Sequence, residues 1–165
     1  MSRADEALRA ARELLEQEGP EAMTMRRVAD RIGIRAPSLY KHLPDKAELE
    51  LRLIADGLEE FGRALRAADA TLAAQARAYR AWGLAHARLY TLMTERPLPR
   101  DRLPEGLEAS AAAPLLAVLG GDQDRARAVW ASAHGLLALE LAGRFPEGAD
   151  LDAAWAVMAA AYAVD

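Results

Sequence analysis

The chain has 165 residues, enough for a core of fair size but too few for two large domains; 52% of them are hydrophobic and only 5% aromatic. It contains no cysteine, which excludes disulfides, thiolate nucleophiles and cysteine-held zinc or iron–sulfur centres, so no cofactor or metal is expected. The formal net charge of −4 speaks against a uniformly nucleic-acid-binding surface, yet its distribution is uneven. From Thr24 to Lys46 the bases Arg26, Arg27, Arg31, Arg35, Lys41 and Lys46 face only the acids Asp30 and Asp45, a balance of +4, whereas from Ala47 onward 12 bases meet 17 acids. A basic module on an acidic body is a workable footprint for DNA binding.

Alanine and leucine dominate and β-branched residues are scarce, which favours helices over strands. No apolar run approaches the roughly 20 residues needed to span a bilayer. The opening MSRADEALRAAR is charged and helical rather than a leader. A cytoplasmic protein with no membrane partner is expected.

The first helix is expected over Arg3 to Gln17, where Ala7, Leu8, Ala11, Leu14 and Leu15 form an apolar stripe, and Gly19-Pro20 ends it. Thr24 is an N-cap for a short second helix whose Val28, Ala29 and Ile32 face inward, closed by Gly33. A third helix is expected from Arg35 or Ala36 to Leu43. Pro37 falls in its first turn, where the missing N–H has no intrahelical partner to lose.

Asp45, with Glu48 three residues on, caps a long connecting helix reaching about Ala67. The pattern predicts one further helix from about Ala70 to Thr94, with Tyr79, Trp82, His86, Leu89, Tyr90 and Met93 along one side. The Pro-rich TERPLPRDRLPEG is a loop or broken helix. Helices over Leu107 to Leu119, kinked at Pro114, over Asp122 to Gly143 and over Leu151 to Ala163 complete the chain. The last two are apolar on most of their circumference, and a second copy of the same pair is the expected cover.

Two short helices joined by a Gly-containing turn, behind a supporting helix, match the helix-turn-helix pattern. Ala29 is small where the helices approach, Gly33 permits positive φ, and Leu39 and Leu43 anchor the second helix. Arg35, Ala36, Pro37, Ser38, Tyr40, Lys41 and His42 are then turned outward, toward a DNA major groove.

The run TMRRVADRIGIRAPSLYKHLPDKAEL also resembles the DNA-binding domain of TetR-like transcriptional regulators, matched at Thr24, Val28, Ala29, Gly33, Ile34, Leu39, Tyr40, His42, Lys46 and Leu49. Leu43 departs from the Phe usual in that pattern. The resemblance implies that Tyr40, Lys41, His42 and Lys46 meet backbone phosphates and that Thr24 and Arg26 lie near the backbone or a base edge. It also implies that Arg35, Ala36, Pro37 and Ser38 face the bases, a division that suits their chemistry. Farther on, AVWASAHGLLALELAGRF resembles the TetR-type C-terminal domain marked by Trp and His-Gly, here Trp130, His134 and Gly135. That resemblance implies a ligand-binding and dimerisation domain. Trp82, His86 and Tyr90, facing Trp130 and His134, are candidate effector contacts, and a plain core stripe is the competing reading.

The expectation is therefore an all-α protein: a three-helix DNA-binding domain over residues 1–46, then a helical ligand-binding and dimerisation bundle over 47–165, with helix 47–67 connecting. Its expected function is that of a ligand-responsive repressor binding a pseudo-palindromic double-stranded operator as a homodimer, paired through its last two helices, with a small-molecule effector. Two other classes were open: a helical enzyme, for which His86, His134 and Glu140 are the one candidate constellation, and a protein-interaction adaptor with a degenerate helix-turn-helix. No phosphate loop, H-E-x-x-H or G-x-S-x-G accompanies the histidines.

Overall fold

The computed structural model of the chain describes residues 2–163. Among them lie nine helices and no strand: α1 (Arg3–Glu18), α2 (Met25–Arg31), α3 (Ala36–Leu39), α4 (Lys46–Ala67), α5 (Leu72–Ala85), α6 (Ala87–Thr94), α7 (Leu107–Val118), α8 (Gln123–Leu141) and α9 (Leu151–Tyr162). No helix among the described residues is long and apolar enough to cross a membrane.

The chain forms two compact units. One runs to Leu58 and takes in His86–Glu105; the other holds Glu59–Ala85 and the chain from Gly106 onward. This division differs from the boundary expected at residue 46, because Leu49, Leu51, Leu53 and Ile54 in the first half of α4 are buried as core of the first unit.

In the first unit, Ser2 and Asp5 close a capping box at α1. The Ser2 hydroxyl accepts from the Asp5 N–H at 3.1 Å, and the Ser2 N–H donates to the Asp5 carboxylate at 2.7 Å, which holds that carboxyl below its ordinary range. Ala7, Ala10, Ala11, Leu14 and Leu15 form the buried face of α1, against which α2, α3 and α6 pack. A Cβ on Gly57 would lie 2.6 Å from Met93 Sδ and 2.9 Å from Leu89 Cδ2, so α4 and α6 approach as closely as they do only because that residue is glycine. The Pro-containing loop after α6 is fastened to α4 by Arg102 to Glu48, at 3.0 Å, and Arg96 to Glu50, at 3.3 Å.

In the second unit α5, α8 and α9 pack on one another, with α7 against α5 and α8. Phe61 meets the rings of Tyr79 and Trp82 edge-on at 5.1 and 5.3 Å, and Trp155 lies 6.1 Å from Tyr79. Asp122 and Asp150 cap α8 and α9 by accepting from backbone N–H groups of their first turns.

Two expected helices come out differently. The third is an α-helix only from Ala36 to Leu39; the chain then continues to Leu43 in tighter turns, with the His42 N–H donating to Leu39 O at 2.9 Å. The single helix expected from Ala70 to Thr94 is two, α5 and α6. His86 leaves helical geometry at φ −126°, ψ 43°, and becomes the N-cap of α6, its carbonyl accepting from the Tyr90 N–H at 2.8 Å. Its Nδ1 lies 3.2 Å from Arg12 Nη2 of α1. The break divides the apolar residues: Tyr79 and Trp82 join the core of the second unit, while Leu89, Tyr90 and Leu92 join that of the first.

Candidate nucleic-acid interface

The turn between α2 and α3 is specified locally. The Thr24 hydroxyl accepts from the Arg27 N–H at 3.2 Å, which starts α2 and leaves the hydroxyl proton free to donate outward. At the other end Gly33 sits at φ +70°, its N–H donating to Asp30 O at 3.2 Å, and the Ile34 N–H reaches back to Ala29 O at 3.0 Å. This pair of bonds is a Schellman motif, which satisfies the last carbonyls of α2 and reverses the chain. Pro37 occupies the first turn of α3, and no side chain caps that helix.

Val28, Ala29, Leu39 and Leu43 are fully buried, so α3 and the turn after it are pinned from beneath. With Leu39 and Leu43 inward, the side chains before and between them point out: Arg35, Pro37, Ser38, Tyr40, Lys41 and His42 are exposed, as are Thr24 and Arg26, while Ala36 and Lys46 are half-buried.

The six bases of this segment are not equivalent. Arg27 donates to both carboxylate oxygens of Glu18, at 2.9 and 2.8 Å, and Arg31 lies 3.7 Å from Glu13, so these two turn back toward α1. Arg26 is 4.0 Å from Asp30, both strongly exposed, a pairing of little weight in water. Lys46 donates to Pro20 O at 3.3 Å and lies 3.6 Å from Glu50. The side chains of Arg35 and Lys41 have no hydrogen-bond or ion-pair partner among the described residues. The outer face thus carries two uncommitted cations, a phenol, two hydroxyls and an imidazole within one short run, groups suited to phosphate oxygens and base edges.

The five residues expected around an effector are not gathered in this way. Trp82 is buried against Phe61 in the second unit, whereas His86 and the buried Tyr90 belong to the first. Trp130 is 51% exposed on α8, with the His134 ring 6.2 Å from it. The shared stripe assumed an unbroken helix, and the break at His86 removes it. In the second unit a groove of about 390 Å³ runs between α5 and α9, bordered by Arg77, Arg80, Asp152 and Trp155, and a smaller gap lies at Gln75; none of the five borders either. Glu140, the acid of the catalytic constellation, is committed to Arg80 and to the Trp155 indole N–H. Gln75 went unmarked in the sequence. Its i, i+4, i+7 register with Tyr79 and Trp82 is the signal that places it on the core face of α5.

Comparison with known proteins agrees with this geometry. Residues 7–53 match the bacterial regulatory proteins of the tetR family, and residues 72–162 match the tetracyclin repressor-like C-terminal domain. An uncharacterized HTH-type transcriptional regulator of Mycobacterium tuberculosis, Rv0681, is 34% identical over 144 residues, covering 78% of this chain and 66% of the relative, so the chain spans just under two thirds of that protein's length. The crystal structure of the proposed regulatory protein SCO4313 superposes with a TM-score of 0.78 at 27% identity, over 96% of this chain and 94% of that one. The multidrug binding protein EbrR, solved in complex with imidazole, shares the fold with a TM-score of 0.75 at 22% identity, over 100% and 97% of the two chains. The chain belongs to the tetR family of bacterial regulatory proteins.

Proposed function

We propose that the chain is a homodimeric, effector-responsive repressor of transcription that reads a pseudo-palindromic operator with α3 and the turn behind it. The observation that carries this reading is the outward set from Arg35 to His42, held on a helix that Leu39 and Leu43 pin and that the Gly33 turn orients. Arg35 to Ser38 meet base edges in the major groove. Tyr40, Lys41 and His42 meet phosphates, joined by Lys46 once it exchanges Glu50 for a phosphate oxygen, and Thr24 and Arg26 lie near the backbone or a base edge.

One α3 per subunit reads one half-site, so two subunits read half-sites about one helical turn, roughly 34 Å, or somewhat more apart. The pairing uses α8 and α9, where Trp130 and Val157 leave large apolar side chains 51% and 69% exposed. The tetracyclin repressor-like match over residues 72–162 supports an effector received by the second unit. Such an effector acts only through a difference in its affinity for the DNA-competent and DNA-incompetent conformations.

Selection of bound sequences from random duplex DNA by the purified chain tests the reading. Enrichment of one palindrome with two equal half-sites is expected. Enrichment of none overturns the proposal, and a single unpaired half-site overturns the dimer within it.

A further inference from the structure

Among the bases of the α2–α3 segment, Arg27 is the most firmly held. Its Nη2 donates to both carboxylate oxygens of Glu18, at 2.9 and 2.8 Å, and neither side chain has another hydrogen-bond or ion-pair partner among the described residues. Lys46, by contrast, approaches Glu50 only to 3.6 Å and shares it with Arg96 at 3.3 Å.

The Glu18–Arg27 pair does little for the fold. The two side chains are 43% and 45% exposed, and an ion pair so open to water contributes little stability. Glu18 is also the last residue of α1, whose final turn carries no base, so its carboxylate faces the negative end of the helix dipole. That placement costs α1 rather than serving it.

What the pair does decide is where a cation points. Arg27 lies in the first turn of α2, its backbone N–H donating to the Thr24 hydroxyl at 3.2 Å, and Lys46 donates to Pro20 O in the turn between α1 and α2 at 3.3 Å. Thr24 and Lys46, both proposed to meet or border the DNA backbone, thus flank the stretch that Glu18 and Arg27 close. Turned outward, the Arg27 guanidinium would offer a planar fork of N–H donors to the same row of phosphates. Turned to Glu18, its charge is matched and a carboxylate stands beside it.

We infer that Arg27 is a latent phosphate contact, held off the DNA by Glu18, and that this pair limits how tightly the chain binds DNA of any sequence. The inference rests on the proposal that Thr24 and Lys46 lie against the backbone. Lys46, loosely paired, exchanges its carboxylate for a phosphate; Arg27, gripped twice, does not. A phosphate contact carries no sequence information, so the restraint lowers affinity without changing which operator is chosen.

The test is a double-mutant cycle on the full chain, read by fluorescence anisotropy with the selected operator and a mismatched duplex over a salt series. Glu18→Ala is expected to tighten both complexes alike, about fivefold at low salt, and to steepen the slope of log affinity against log salt by about 0.9. Arg27→Ala alone is expected to stay within about twofold of the unaltered chain, and Glu18→Ala added to it is expected to gain less than about twofold. Both positions are exposed, so helical circular dichroism is expected to be unchanged in all three variants, and a merely structural role would not move the salt slope. No gain in Glu18→Ala overturns the inference, and a loss there would make Glu18 a support for Arg27 instead. A gain that persists undiminished beside Arg27→Ala would belong to the removed acid alone and overturns it equally. Operator selection is scored separately: a chain that selects a palindrome but shows no gain sinks this inference and spares the regulator, whereas a chain that selects none sinks both.

Discussion

The guanidinium of Arg80 on α5 grips the carboxylate of Glu140 on α8 through two nitrogens, Nη2 to Oε1 at 2.7 Å and Nε to Oε2 at 2.9 Å. The same Arg80 reaches Asp152 of α9, and Trp155 of α9 donates its indole N–H to Glu140 at 3.3 Å, so one guanidinium, through two ion pairs, joins three helices. Hydrogen bonding to Glu140, foremost among the causes, raises the Arg80 pKa above its ordinary value, so Arg80 stays charged throughout any practical pH range. Glu140→Ala is expected to destabilise the fold by about 2 kcal/mol, because it strips a mostly buried guanidinium of its principal partner. Glu140→Gln, which keeps an acceptor for Trp155, is expected to cost about half as much. Urea unfolding of the two variants checks both values, and equal losses would assign the effect to charge rather than to shape or to the bond with Trp155.

Gly83 is required by packing rather than by backbone conformation. A Cβ there would overlap Cδ2 of Leu137, itself fully buried and unable to swing into solvent. Gly83→Ala is expected to cost about 1–3 kcal/mol by overpacking. Adding Leu137→Val is expected to recover part of that loss, and thermal denaturation of the double variant beside the two singles measures the coupling.

Gly33 is required for the opposite reason. Nothing lies within 4 Å of the position its Cβ would take, but its φ is +70°. Gly33→Ala is expected to lose about 1 kcal/mol through backbone strain alone, and Gly33→Asn less, since Asn tolerates the left-handed region. Equal losses in the two variants would place the cost elsewhere than in the turn.

Arg35 and Lys41, the two uncommitted cations of the outer face, are expected to fail in different ways. Lys41→Ala should weaken binding similarly for matched and mismatched operators and reduce the slope of log affinity against log salt by about 0.9. Arg35→Ala should instead cost about 1–3 kcal/mol on the selected operator and relax the preference at one base pair of each half-site. Fluorescence anisotropy over a salt series with matched and mismatched duplexes separates the two patterns, and an unchanged slope for Lys41→Ala would remove it from the phosphate contacts.

Val157 projects from α9 with 69% of its surface exposed, on the helix pair proposed to meet its counterpart. A charge there would be buried without a partner in the dimer and harmless in a monomer. Val157→Asp is therefore expected to shift the chain to monomers in sedimentation equilibrium, to leave its helical circular dichroism unchanged and to lower operator affinity. A variant that still sediments as the unaltered chain does would move the interface to another face.

The turn between α2 and α3 was legible in the sequence because each of its determinants acts over a few residues. Thr24 caps the helix that begins one residue later, Gly33 supplies the only backbone conformation that the reversal accepts, and Leu39 and Leu43 recur at the spacing that buries one side of a single turn. Even here the division of labour among the bases was hidden, since Arg27 is drawn off by Glu18, nine residues earlier, and Arg31 by Glu13.

The course of the helix beyond Trp82 was not legible, and the reason lies at the break at His86. Trp82, His86, Tyr90 and Met93 keep an unbroken helical period across it, no Pro interrupts the run, and its one Gly, Gly83, lies within α5 rather than at the break. At the break His86 meets a partner 74 residues away, Arg12 on α1, and one core claims the residues after it while another claims those before it. Gln75 follows the same logic, for one Gln in an Ala-rich helix says nothing until the carbonyls of Leu65 and Asp69 are seen to occupy its amide and to leave its oxygen alone. Caps, turns and the period of apolar residues are local properties of a chain and can be read along it. Which helix continues, which base is already paired and which buried oxygen lacks a donor depend on residues that only folding brings together.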